Sequence, residues 1–147
     1  MADSVRLRIL KDAIARLNAS PAKPSGLSAE LGPSRAAKIP GAAVYLPEDA
    51  TRRAGTRRSR LDLHEVTVEV ELRAGGDSLV SCYEAVDALW QWVDAALNGS
   101  VLDGALEEAA IIRTAMDVKG EDRPYVLAVV DVSVPSSQRV GDATLMK

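Results

Sequence analysis

The sequence predicts an α+β domain: an antiparallel sheet of four, possibly five, strands with two helices packed on one face, in the order α-β-β-α-β-β. Three observations carry this. Val66, Val68, Val70 and Leu72 alternate with Glu65, Thr67, Glu69 and Glu71, the two-residue period of a half-buried strand. Val126, Ala128, Val130, Val132 and Val134 repeat the pattern near the end of the chain. Between them, residues 79–97 place apolar side chains at helical spacing. Helices covering one face of such a sheet give both apolar surfaces a place to be buried, and hairpin-like connections within each strand pair favour antiparallel order.

The 147 residues suit one domain. It is expected over 1–135, with a Pro-rich loop at 19–40, an Arg-rich hairpin at 48–60 and a flexible C-terminal tail at 136–147. Residues 4–18 form the first expected helix, with Leu7, Leu10, Ile14 and Leu17 on one stripe. Asp3 or Ser4 is placed to cap it, and Asn18 followed by Pro21 stops it. Four prolines and no visible period mark 19–40 as an extended connector. Residues 41–47 read as a short strand between Pro40 and Pro47.

The long strand is expected over 61–73. Leu61 and Leu63 lie on the opposite parity from Val66 to Leu72, so a bulge or a change of packing environment is expected near His64 and Glu65. Ala74-Gly75-Gly76 makes a turn, and Asp77 or Ser78 caps the helix that follows. That helix, 79–97, presents Leu79, Cys82/Tyr83, Val86, Leu89/Trp90, Val93 and Leu97 as its apolar face. About six such side chains, each worth ~1.5–3 kcal/mol when buried, make it the main lid on the sheet. Residues 106–118 lean helical at first but alternate from about 109, which predicts a strand over 109–118. A charged turn, Lys119 to Arg123, leads to a last strand at 124–134, ended by Pro135.

Composition narrows the function classes. The chain has no Phe, two Trp and three Tyr, so its core is aliphatic and base-stacking platforms are scarce. A single cysteine, Cys82, excludes an internal disulfide framework and a multi-Cys zinc site. No run approaches a signal peptide or the ~20 apolar residues of a membrane span. The expected setting is a reducing cytosol or something assembled there. Charge is lopsided: residues 1–60 carry +7 and residues 61–147 carry −10. A basic arm for nucleic acid, complementary faces for self-association and a basic loop on an acidic body all fit that split.

Chemistry-bearing residues are sparse. His64 is the only histidine, so no His-based metal cluster or two-His acid/base site exists. A Cys82–His64 pair is conceivable, but Cys82 falls on the apolar helix face, where a buried thiol is inert. Glu65, Glu69 and Glu71 share one strand face and read most simply as solvated. The Gly75-Gly76 turn before a helix lacks the spacing of a dinucleotide or P-loop motif. No catalytic residue, cofactor or metal site is therefore expected. The polar feature that stands out is Arg52, Arg53, Arg57, Arg58 and Arg60, five arginines in nine positions. A solvated loop, a contact onto acidic neighbours through fork-shaped pairing and a phosphate contact are all open readings.

In order, the chain presents a short amphipathic helix, a Pro-rich loop, PGAAVYLPEDA, a charged hairpin, LHEVTVEVELRA, a GGDSL turn, a helix and RPYVLAVVDVSV. Over about residues 1–135 this resembles the tail terminator, or tail completion, proteins of long-tailed bacteriophages, the family that includes the lambda minor tail protein U. The resemblance implies a non-enzymatic virion protein, assembled in the host cytoplasm, that forms a homohexameric ring at the head-proximal end of the tail. Such a ring stops polymerisation of the tail tube and meets the head–neck connector. Its implied partners are copies of itself, the tail tube protein and the connector protein; DNA passes through the channel without specific binding, and no membrane is involved. Arg52 to Arg60 then become a candidate subunit or partner interface, and Glu65, Glu69 and Glu71 a candidate lumen or inter-subunit face. The arginine run matches no motif of that family. Two other readings remain: a head-completion or neck protein, and a small nucleic-acid-binding module using Arg52 to Arg60.

Overall fold

A computed structural model describes residues 3–32, 39–48, 50–53, 61–120 and 123–139, with the backbone course alone for 52, 53, 61, 62, 138 and 139. The elements are α1 (Val5–Ala19), β1 (Ala29–Leu31), β2 (Gly41–Tyr45), β3 (Thr51–Arg53), β4 (Leu61–Gly75), α2 (Leu79–Leu97), β5 (Ala110–Lys119) and β6 (Tyr125–Arg139). The sheet runs β1-β2-β4-β6-β5, and β3 pairs with β4 beside β2. Its fold class is α+β, as expected.

β2 meets β4 from Arg73 to Glu69, and β3 meets it from Val66 to His64. The two short strands thus share one lane, interrupted around Pro47, and the sheet is five strands wide. Pairing is antiparallel except for β1 against β2. β1 corrects the expectation of a structureless connector over 19–40. It is tied down by Asn18, which donates to the Ala29 carbonyl at 3.1 Å and accepts from the Ala29 amide at 2.8 Å.

The centre of the fold is the β4–β6 ladder, continuous from Leu61 opposite Arg139 to Gly75 opposite Tyr125. Val66, Val68, Val70 and Leu72 face the helices, as do Val126, Ala128, Val130, Val132 and Val134, and none is more than 1% exposed. Of the bulge or change of packing environment expected near His64 and Glu65, the bulge is absent, because β4 keeps register with β6 throughout. Leu63 instead points away from the helices and stays 43% exposed. The sheet's irregularity lies in β5, between Ile111 and Arg113.

β6 also passes Pro135, correcting the stop placed there and the start of the tail at 136. The Pro135 carbonyl accepts from the Leu106 amide at 2.8 Å. A strand residue aims its carbonyl and its nitrogen at the same edge, so the missing N–H of Pro135 faces away from β4 and costs that ladder nothing. The remainder of the expected tail, 140–147, lies outside the described residues.

Both helices start where a serine can cap them. Ser4 accepts from the Leu7 amide, and Ser78 and Ser81 form a reciprocal capping box, with bonds of 3.1 and 2.9 Å. Gly76 makes room for that box, since a Cβ there would sit 2.2 Å from Ser81 Oγ. α2 buries Cys82, Val86, Leu89, Trp92, Val93, Ala96 and Leu97. Trp92 was not among the expected face residues. It is fully buried, and its indole N–H donates to the Leu17 carbonyl of α1 at 2.9 Å.

Trp92→Ala is expected to lower the unfolding free energy by about 3–5 kcal/mol through the cavity it leaves. Trp92→Phe should cost less, about 1–3 kcal/mol, mainly by leaving the Leu17 carbonyl unpaired. Urea denaturation followed by far-UV circular dichroism checks both.

Candidate functional site

The sheet has two unlike faces. α1 and α2 cover the valine face; among the described residues no element covers the other. Alternation along β4 puts Glu65, Glu69 and Glu71 together on this outer face, where the ladders arrange side chains in cross-strand rows. Tyr45, Glu69, Asp131 and Arg113 form one row. Glu30, Ala43, Glu71, Val129 and Ala115 form the next. Gly41, Arg73, Leu127 and Asp117 form a third.

The three glutamates are not equivalent. Glu71 is only 9% exposed and forms an ion pair with Arg73, two residues along on the same face. The pair is a charge contact without aligned hydrogen bonds at Glu71 Oε1 or Arg73 Nε. Glu69 accepts from the Tyr45 hydroxyl. Desolvation of the phenol, then the hydrogen bond to Glu69 and the charges of Glu69, Glu71 and Asp131, push Tyr45 well above the ordinary tyrosine range. Glu65 lies opposite Arg52 and Pro135 in the strand register. The outer face is thus a half-buried mixture of acid, arginine and aliphatic side chains. The hollow beside Glu71, between Ser28, Glu30, Gly41, Ala43 and Arg73, holds about 30 Å³, room for roughly one water.

The arginine run is only partly placed. The Arg52 and Arg53 backbones belong to β3 and pair with Glu65 and His64 of β4. Arg57, Arg58 and Arg60 lie outside the described residues. The expected hairpin therefore begins at the acidic lane of β4, and the strand pairing brings the Arg52 and Glu65 positions together. Sequence reasoning passed over Tyr45 and Arg73 as members of the outer face. Arg73 was legible in principle, since it continues the odd-numbered parity of Glu65, Glu69 and Glu71.

The thiol and imidazole that invite a catalytic reading are far apart. Cys82 is buried at the start of α2, with its Sγ 3.3 Å from the Pro124 carbonyl beside the Gly75–Tyr125 end of the ladder. His64 pairs with Ser136 near the other end. Eleven residues of β4 separate those rows, or about 36 Å at ~3.3 Å per residue. Among the described residues no three His, Cys, Asp or Glu side chains gather to hold a metal ion, and no helix is long and apolar enough to cross a membrane.

No protein-family model matches the sequence, and no curated protein is significantly similar to it. The fold does have a counterpart among solved structures. A chain from the virion of a native gene transfer agent particle superposes with a TM-score of 0.59 at 14% identity, covering 89% of this chain and 96% of that one. The two chains share a fold over nearly their whole lengths.

Arg73→Met should destabilise the protein by about 3 kcal/mol at neutral pH, because it strands the buried Glu71 carboxylate. The double change Glu71→Leu with Arg73→Met should restore much of that loss, and chemical denaturation of the three proteins checks the ordering. Tyr45 should also ionise well above the ordinary tyrosine range, so that Tyr45→Phe removes a late step of an ultraviolet titration. Its folded-state value is raised, so its stabilising contribution is complete below the unfolded tyrosine value of about 10. That contribution is lost as pH rises from there through the folded value.

Proposed function

We propose that this chain is a structural component of a phage-like virion, acting as a tail terminator. In this reading copies form a ring, of six subunits, at the head-proximal end of the tail tube. The ring ends tube polymerisation and offers its other side to the head–neck connector, while DNA passes through without specific binding. The single observation that carries the reading is the fold shared with a virion chain over 89% of this sequence. The element order of the tail terminator family supports the finer assignment.

Two physical features agree with it. The two halves of the chain carry opposite net charge, which suits contacts between unlike surfaces of identical subunits; such head-to-tail contacts close into rings when the rotation permits. Among the described residues no element covers the outer face holding Glu65, Glu69 and Glu71, and that face is net acidic, as a lining that repels the DNA backbone should be. The arginine run starting in β3 then serves as a contact with a neighbouring subunit or virion protein.

Native mass spectrometry of the purified protein should give a closed oligomer of six, and particles made without the protein should carry tails of uncontrolled length in electron micrographs. A strict monomer, together with tails of normal length in its absence, would end the reading. Localisation of the protein to the capsid vertex rather than the tail end would move it to a head-completion role.

A further inference from the structure

Among the described residues no further strand pairs with either edge of the sheet, and the two edges differ. β5 closes one side and β1 the other. Thr114, Met116 and Val118 pair with Val130, Ala128 and Val126, which puts them on the helix-bearing face. They nevertheless lie beyond the cover of the helices: Met116 is 44% and Val118 42% exposed. α2 borders them directly, since the Trp90 indole donates to Thr114 Oγ1 at 3.0 Å. Tyr83 lies two helical turns before Trp90 on the same stripe, on the side towards Val118, and is 41% exposed.

Sheet edges are normally protected by charges, bulges or cover. Here the guards stand at the two ends of β5: the irregularity between Ile111 and Arg113, and Lys119. The stretch between, Thr114 to Val118, carries one charge, Asp117. Tyr83, Met116 and Val118 beside this open edge make an apolar shelf of the kind that marks an interaction site.

The opposite edge supplies a matching surface. Leu31 of β1 is 69% exposed and shares the helix-side row of Val44, Val70, Val130 and Thr114. The two apolar shelves therefore occupy the same layer at opposite sides of one molecule. Strand directions agree as well. β4 and β5 are both antiparallel to β6, while β2 and β1 run opposite to β4. A copy placed side by side would thus bring its β1 antiparallel to β5. Charge is complementary too: α2 and β5 hold four acidic and two basic side chains, and α1 and β1 hold four basic and two acidic, with Arg8 already paired to Asp103 of the same chain.

We propose that the α2–β5 flank of one copy receives the α1–β1 flank of the next, extending sheet and helix layer from subunit to subunit. The occupant is a second copy of this chain, and the contact joins unlike surfaces. The inference rests on the ring reading above and names the surfaces that build the ring.

Two measurements test it. Mixing Leu31→Cys with Thr114→Cys, the exposed β5 position in the same row, under mild oxidation should give a disulfide-linked dimer that neither variant forms alone; the native Cys82 is buried, and unmodified protein serves as the control. The double variant Tyr83→Lys with Met116→Lys, both at exposed positions, should keep its circular dichroism spectrum. Its subunit dissociation constant by sedimentation should rise at least about tenfold, for a loss of roughly 1.4 kcal/mol or more. A native-size ring from the double variant, with no cross-link in the mixture, overturns this assignment and leaves the ring intact. Cross-linking of Thr114→Cys with itself in preference to Leu31→Cys also overturns it. An unmodified protein that stays monomeric at all concentrations removes the ring reading and this contact together.

Discussion

The fold depends on the register of β4 against β6. Fifteen consecutive pairs join these strands, and valines stand opposite valines at Val66–Val134, Val68–Val132 and Val70–Val130. Because side chains alternate with a period of two, a slip of one residue on β6 would turn Asp131 and Ser133 towards the helices. Among the described residues that side is lined by the aliphatic core, which offers a carboxylate no partner. The ladder therefore has one tolerable parity, and everything else attaches to it. α2 packs its buried arc on this ladder, β2 and β3 line one edge, and β5 lines the other.

That parity also fixes what the outer face is. Glu65, Glu69 and Glu71 are brought together by the same alternation that buries the valines. Their charge is nevertheless partly compensated: Arg73 pairs with Glu71, and the Tyr45 hydroxyl is bound to Glu69. Close packing across rows, more than solvent, surrounds Glu71. A channel lined by such a face, as proposed, would hold its acidic groups rigidly and present a moderate negative field. Rigid carboxylates bonded to their neighbours are poor at chelating cations and poor at bending towards a passing polymer, which suits transit better than capture.

Much of the fold was legible because its strongest signals are local. The period of two in β4 and β6 and the 3.6 period in α2 each need only a dozen or so residues to be read, and α2 spans 79–97 as expected. The three-residue strands β1 and β3 were not legible. Ala29-Glu30-Leu31 and Thr51-Arg52-Arg53 have too few alternations to set a period, and both exist because a neighbouring strand offers a free edge. Pro135 misled for a related reason: its cost depends on which edge its nitrogen faces, and that is a property of the partner strands. Trp92 was missed because α2 was read as touching one surface. It touches two, the sheet and α1, so its buried arc from Trp92 to Leu97 spans about 140° at 100° per residue. At the outer face, the grouping of the glutamates was readable from parity, but the burial of Glu71 depends on residues three strands apart.

The strongest physical argument for the proposed assembly role lies in what the described residues leave uncovered. Two helices cannot cover a sheet five strands wide, and the shortfall falls at its margins, at Leu31 on one side and at Met116 and Val118 on the other. A protein that works alone is under pressure to guard such margins, since an open apolar edge invites indiscriminate strand pairing. Here the margins are left apolar but given opposite surroundings, acidic beside β5 and basic beside β1. Like-charged flanks disfavour the pairing of one margin with its twin, whereas unlike flanks favour pairing of one with the other. In the proposed contact the same residues would both invite association and select its direction. Such a contact would lead to a closed ring where the angle between neighbours allows it, and to an open filament where it does not.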